Sequence, residues 1–529
     1  MGDINKNIGN GLKVLAKSSI IVFIGLAISK VLAYIYRIMI ARAYGPEAYG
    51  MFNLSVMVVG LFVTISSLGL SDGLVRYISM FYAKKKNKDA RYLFQVSLLI
   101  VSIGSIISAL AVYLLADFIS ISIFHNLRLI IFLKIFAVAI PCTSLMSLFL
   151  AVLRSKELIG WYSFIFNILQ TFVRTALLGF FVLLGLSNKS VSLSYSVGMI
   201  LVVILTYFIT KRYVADIFVK ASLDKDKGKR ILKDVLNYSI PLTFNGLLIT
   251  LFFWVDSFSL GYYKTVYEVG IYGAATAIAM LLNLAPEMFS QLFFPLITKE
   301  YSKGNIGLIQ ELSKQVGKWI FIVSLPISIL IVLFPGAAIN VLQFGKEFLP
   351  AKDALRILAI AALIANMGFV SSQLLSIIGK SKLVLLNSFI AVVVNLIFNS
   401  LLVPMPKIWF IDNASGINGA AIATLLSVII FNGLFVIQTY KHSKIIPFRR
   451  KMIRIFLIAL IPAMLLYYLR RFVIIKGIIS LGLMTLAFLV VYFVLIILFK
   501  CLDKNDYLII NRIYDKTNIN FIRRPLLIL

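Results

Sequence analysis

Residues 27–50 read AISKVLAYIYRIMIARAYGPEAYG. An apolar run from about Ser19 to Ala41 is long enough to cross a bilayer, for which about 20 residues suffice. Lys30 lies near its middle, and Arg37 follows seven residues later. Seven residues are almost two helical turns, so both cations leave one face of a helix, with Tyr34 between them. At the centre of a bilayer each would cost about 2.5–3.5 kcal/mol. A helix that carries them must turn that face toward something other than lipid.

The rest of the chain has the same character. Of its 529 residues 61% are hydrophobic and 14% charged, and the mean hydropathy is +0.98. No soluble domain needs so much apolar surface, so the expected class is an all-α polytopic membrane protein. Fourteen transmembrane helices are expected, centred on 18–41, 51–75, 92–116, 130–153, 161–186, 192–212, 238–261, 270–296, 317–336, 354–378, 384–402, 418–440, 453–470 and 478–499.

The net charge of +31 would suggest nucleic acid in a soluble protein, but here the basic residues punctuate the apolar runs. One set of loops contains KKKNKDAR (84–91), KDKGKR (225–230), KHSKIIPFRRKMIR (441–454) and both termini. It carries 36 Lys and Arg, against 11 on the other side. The positive-inside rule therefore puts both termini in the cytoplasm, with the chain in the cell membrane. The basic loops are suited to anionic membrane lipids, and no nucleic-acid partner is expected. The start, MGDINKNIGNGLKVLAKSS, lacks a cleavage pattern and a myristoylation site, so the first apolar run should stay as a helix. Cys142 and Cys501 cannot form a disulfide framework or a zinc site.

The longest hydrophilic connection, about 211–236, divides the chain. Residues 1–236 would form an N-terminal unit of six helices with a basic cytoplasmic linker. Residues 237–440 would supply six more, and 441–529 two further helices and a basic tail. An internal echo supports the division. YGMFNLS (49–55) opens the second helix and VGIYGAA (269–275) the eighth. Six helices separate the copies, so both have one orientation, as in a parallel repeat about the membrane normal.

Catalytic constellations are sparse. His125 and His442 are the two histidines, neither near a carboxylate pair, and the loops expected outside are short. IIGKS (377–381) carries the GKS of a phosphate loop, but Leu374 replaces the first glycine and no strand precedes it. Neither ATP hydrolysis nor metal catalysis is supported; transport is the expected role and no enzyme activity is expected.

The charges inside the spans then become the candidate site. Lys30 and Arg174 each lie about 18 Å from either end of their helices, farther than a side chain can snorkel. Arg174 shares a face with Asn167 and Gln170, and such a stripe faces a bundle interior or water. The bland alternative is a hydrogen-bond network between helices. Arg37, Arg76 and Lys134 lie nearer helix ends, where snorkelling or an interfacial place competes. The second half carries the opposite sign, in Asp256 and in Glu287 after Pro286. Asp256 is too short to snorkel, so it must pair, protonate or bind a cation. A cationic chamber inside a membrane suits an anionic substrate such as a phosphate or pyrophosphate head group.

The segments ISKVLAYIYRIMIARAYGPEAYGMF (28–52), VDSFSLGYYKTVYEVGIYGAA (255–275) and LLSIIGKSKLVLLNSFIAVVVNLIFNSLLVP…GINGAAIATLLS (374–427) resemble polysaccharide and oligosaccharide flippases of the multidrug/oligosaccharidyl-lipid/polysaccharide exporter superfamily. The resemblance covers almost the whole chain. It implies two six-helix lobes around a central cavity, two appended helices and alternating access. The implied cargo is a polyprenyl-(pyro)phosphate-linked oligosaccharide moved from the inner to the outer leaflet, for surface polysaccharide or glycoprotein assembly.

Lys30 resembles a cavity arginine of the related lipid II flippases. The next arginine of that pattern falls on Tyr36, with Arg37 displaced by one, which favours another lipid-linked glycan. The implied substrate-binding set is Lys30, Tyr34, Arg37, Asn167, Gln170 and Arg174. Some lipid II flippases also bind sodium, and Asp256, Asn395, Asn399, Ala420 and Thr424 occupy similar positions. Asn399 stands where an acidic residue can occur, so such a site would carry less charge. No cofactor is expected beyond sodium or a proton as a coupling ion. Polysaccharide or glycosylation assembly machinery is a candidate partner. The rival functions are a cation-coupled multidrug antiporter of the same superfamily, a membrane glycosyltransferase or polymerase, and a non-transporting scaffold or scramblase. Cations in the cavity oppose the first and short external loops the second.

Overall fold

The computed structural model describes residues 2–341, 344–469 and 478–502, and they are almost entirely helical. The chain is a polytopic all-α membrane protein. Among the described residues twelve stretches are long and apolar enough to span a bilayer, and Gly482–Leu498 is a shorter apolar helix. The first stretch, Ile28–Ser67, is itself two limbs, so each of the fourteen expected helices has a counterpart.

The first helix, α1 (Gly2–Ser67), folds back on itself at Gly45, whose φ of +76° is costly for any residue with a Cβ. Pro46 follows, with a fixed φ that suits the first residue of the returning limb. The reversal is visible in the side chains. The rings of Tyr36 and Phe52 lie 5.6 Å apart, whereas sixteen residues of straight helix would separate them by about 24 Å. The returning limb continues after a break at Leu68 and Gly69 as α2 (Leu70–Ala83).

Next come α3 (Asn87–Phe118), α4 (Leu129–Ala137), α5 (Ala139–Ser155), α6 (Ile159–Ser163), α7 (Gln170–Leu183) and α8 (Lys189–Tyr213). A π-helical turn, Phe164–Leu169, joins α6 to α7. These helices share a core in which Phe136 stacks on Tyr195 at 4.6 Å and both flank Phe52. The connection after α8 is less open than its hydrophilicity suggests. It is helical again from Lys225, at the start of α9 (Lys225–Tyr263), and Lys227 bonds the buried Asp89 of α3 at 2.6 Å.

The following helices are α10 (Val266–Ala279), α11 (Leu284–Ser302), α12 (Ile306–Leu333), α13 (Pro335–Val341), α14 (Lys352–Ile377), α15 (Ser381–Leu402) and α16 (Ile417–Ser443). In this group α14 and α15 pack on α16, and α15 also packs on α9. A small hairpin, Lys407–Ile408 paired with Ile411–Asp412, joins α15 to α16. The last two helices, α17 (Arg450–Leu469) and α18 (Ile478–Leu498), dock on α12, where the buried Tyr492 hydroxyl donates to the Ile322 carbonyl.

The two groups meet at glycines. A Cβ on Gly50 would lie 1.9 Å from the Val266 carbonyl oxygen, and one on Gly270 would lie 1.9 Å from that of Pro46. The relation is reciprocal, each glycine meeting the carbonyl four residues before the other. These are matching positions of the two echoed segments, so the copies cross each other backbone to backbone. Tyr49 reinforces the joint, its hydroxyl lying 3.5 Å from the Gly273 carbonyl.

Candidate functional site

The hairpin in α1 decides where its cations go. Because the second limb lies back along the first, Arg37 reaches Tyr49, donating to its hydroxyl at 3.2 Å. Tyr49 in turn stands against Phe344 and Phe348, and Tyr34 meets Phe344 edge-on at 5.7 Å. Arg37 and Tyr34 thus belong to an aromatic cluster that ties α1 to the segment between α13 and α14.

Lys30 is placed differently. Its ammonium pairs with Glu287 of α11 at 3.0 Å, and both side chains remain more than a third exposed. The opposite charge expected in the second half is therefore in contact with the cationic face of the first. Part of Lys30's burial cost is offset by this carboxylate rather than by water alone.

Arg174 has no carboxylate within ion-pair distance among the described residues. Its Nε donates to the Gln170 carbonyl at 3.1 Å, and its guanidinium lies 4.9 Å from the centre of the Tyr195 ring. The side chain fits because residue 198 is glycine: a Cβ there would sit 2.8 Å from the Arg174 Cγ. An arginine over an aromatic face is held by the ring's quadrupole while its donors stay available.

Of the other two residues of that stripe, Asn167 is buried and donates to Ser163, and the Gln170 amide donates to the Met199 sulfur at 3.5 Å. Asn167 lies in the π turn and packs beside Gly25 of α1, so spans 1 and 5 are neighbours here. A π turn re-aims the side chains after it, and such turns are frequent at functional positions. Among the described residues no hydrogen bond joins Lys30, Arg37 and Arg174 to one another.

The second constellation is compact. Asp256 on α9 is 6% exposed, and its carboxylate accepts from Tyr272 at 2.5 Å, Asn399 at 2.9 Å, Asn395 at 3.5 Å and Thr424 at 2.5 Å. Asn395 and Asn399, one turn apart on α15, share a face, and the Asn399 amide also donates to the Asn395 carbonyl and side-chain oxygen. Ala420 is buried one turn before Thr424 on α16. A cavity of about 170 Å³ opens beside the cluster, lined by Asp256, Tyr272, Thr276, Asn283 and Thr424 among apolar neighbours.

These residues fit a small hard cation. The set offers one carboxylate, two amide oxygens and a hydroxyl, the oxygen donors that sodium prefers, and the Asn399 Oδ1 is buried with no hydrogen-bond partner among the described residues. An orphaned acceptor beside a four-fold bonded carboxylate is what a cation would satisfy. No cluster of three or more His, Cys, Asp or Glu that could hold a metal ion occurs among the described residues.

The residue list drawn from sequence missed three partners. Glu287 was visible as a charge within a span, but nothing in the sequence linked it to Lys30, 257 residues away. Tyr272 and Tyr49 lie in the echoed segments, and that repeat is the signal that points to them.

Residues 15–301 match the polysaccharide biosynthesis protein family, and residues 241–401 match the MatE family. An uncharacterized membrane protein of Methanocaldococcus jannaschii is 24% identical over 82% of this chain and 86% of its own length. A putative O-antigen transporter of Shigella flexneri is 21% identical, over 79% of this chain and 95% of its own. Among solved structures, the lipid II flippase MurJ in an inward closed conformation superposes with a TM-score of 0.71. It is 15% identical, and the match covers 91% of this chain and 98% of that one. The last comparison shows a shared fold.

Proposed function

Because this chain belongs to the polysaccharide biosynthesis protein family, within the multidrug/oligosaccharidyl-lipid/polysaccharide exporter superfamily, we propose that it is a lipid-linked oligosaccharide flippase. Its cargo is a polyprenyl-(pyro)phosphate-linked oligosaccharide, carried from the inner to the outer leaflet for assembly of a surface glycan. A sugar chain and its phosphate cannot cross about 30 Å of hydrocarbon unaided, because each hydroxyl would be stripped of water without a partner.

The observation that carries this reading is Arg174, a guanidinium at mid-span with no carboxylate partner among the described residues. Lys30, Arg37, Asn167 and Gln170 on the neighbouring spans 1 and 5 would complete the polar wall, with Tyr34 beside them. The lipid tail stays in the membrane while the head group is held there. Residues 1–236 and 237–440 act as two lobes that rock to expose the head group to alternate sides, and 441–529 add the two peripheral helices. Both termini face the cytoplasm, as the charge bias of the loops favours.

Asp256, Asn395, Asn399, Ala420 and Thr424 would hold a sodium ion, which would supply a positive charge against the Asp256 carboxylate. Reconstitution into vesicles with a fluorescent lipid-linked oligosaccharide tests the function. Protein-dependent access of an impermeant reagent to the sugar is the expected result. Absence of such access with a folded protein, or the appearance of new glycosidic bonds, would overturn it.

A further inference from the structure

Lys30 and Glu287 meet at 3.0 Å although α1 and α11 belong to opposite groups of helices. Neither side chain is enclosed, at 37% and 39% exposure, and both lie within hydrophobic spans. The chain prepares Glu287 for this place. A 3-10 turn, Met280–Asn283, links α10 to α11 without leaving helical backbone angles, and Glu287 follows directly after Pro286 in α11. Its side chain is 39% exposed, so packing does not enclose the carboxylate on all sides. Glu287 therefore has room to move off Lys30 when another anion takes its place.

We propose that Glu287 is a specificity-determining residue: it occupies the position on Lys30 that a phosphate of the cargo takes, and a ligand must displace it. A half-exposed ion pair is weak, so it can be exchanged, and the exchange is selective. A diphosphate brings more charge and more acceptor oxygens than one carboxylate, and so competes well for an ammonium. A neutral glycolipid gains nothing that would repay breaking the pair, and a cation is repelled by Lys30 itself. Since the pair joins α1 to α11, its exchange also releases a tie between the two groups of helices. The inference rests on the cargo reading above, and its test separates the two.

Binding of farnesyl diphosphate and of inorganic pyrophosphate is measured on the full chain in nanodiscs, for the wild type, Glu287→Gln, Lys30→Gln and the double variant. Removing the competitor should tighten diphosphate binding about two- to fivefold in Glu287→Gln. Lys30→Gln should bind more weakly, and the double variant should match Lys30→Gln, because the competition exists only where the lysine does. Glu287→Asp, which keeps the charge but shortens the reach, provides a second variant and should fall between wild type and Glu287→Gln. Tightening for farnesyl diphosphate alone would assign the site to a lipid head group; tightening for both would assign it to the diphosphate itself. Unchanged or weaker binding in Glu287→Gln, or no binding in any variant, overturns the proposal. Tighter binding without any oligosaccharide flipping would instead overturn the cargo and leave the role of Glu287 standing.

Discussion

Arg174 and Asp256 show how differently a single charge can be kept inside a membrane. Arg174 rests on the Tyr195 ring and over Gly198 with its donors largely unspent. Asp256 has four donors directed at it. The first arrangement leaves capacity for a visiting anion, so Arg174→Gln should lower the rate of oligosaccharide flipping about tenfold or more. Its stability should change by no more than about 1 kcal/mol, because no buried ion pair is broken. A vesicle flipping assay alongside a melting curve separates the two effects. The second arrangement is closed except for the Asn399 oxygen, and there the expected response is to an ion. Sodium should raise the melting temperature over potassium by about 2–4 °C, and Asp256→Ala should abolish the difference. Equal melting of the wild type in both salts would remove sodium from the mechanism.

The elements were far more legible in the sequence than their contacts. An apolar run of about twenty residues between basic loops announces a span whatever surrounds it, so α3, α8, α14, α15 and α16 follow the expected ranges closely. The fold-back at Gly45 was readable as two runs separated by a Gly-Pro, and the helical start of α9 at Lys225 was not, because its first turns are charged. Which faces meet is set by rotation about each helix axis, and mid-membrane helices that are apolar all round carry little signal of it. Asn395 and Asn399 enter through the family resemblance, with which their one-turn spacing agrees; nothing comparable links Lys30 to Glu287. The glycines of the echoed segments test the crossing they make. Gly270→Ala should destabilise the protein by about 1–3 kcal/mol, since the new methyl meets a carbonyl and not a movable side chain. Gly433→Ala in α16, with open space at its Cβ position, should be neutral or stabilising by up to about 1 kcal/mol. Thermal melts of the two variants should therefore shift in opposite directions or at least differ clearly.

For the molecule as a whole, the cargo reading has an electrical consequence. Moving a head group of net negative charge outward is favoured by an inside-negative potential, by about 2.3 kcal/mol per charge per 100 mV. Imposing such a potential with potassium and valinomycin should accelerate flipping in vesicles whose protein faces the matching way, and reversing it should slow them. A rate indifferent to voltage would mean that the moving charge is cancelled by a co-transported cation. The joint between Gly50 and Gly270 bears on how such a cycle is timed. Main chain meets main chain there, and beside it the Tyr49 hydroxyl reaches the Gly273 carbonyl from a ring held against Phe344 and Phe348. Dispersion between closely packed atoms loses a quarter to a half of its strength over a gap of about 0.5–1 Å, so even a small separation at this crossing would weaken it markedly.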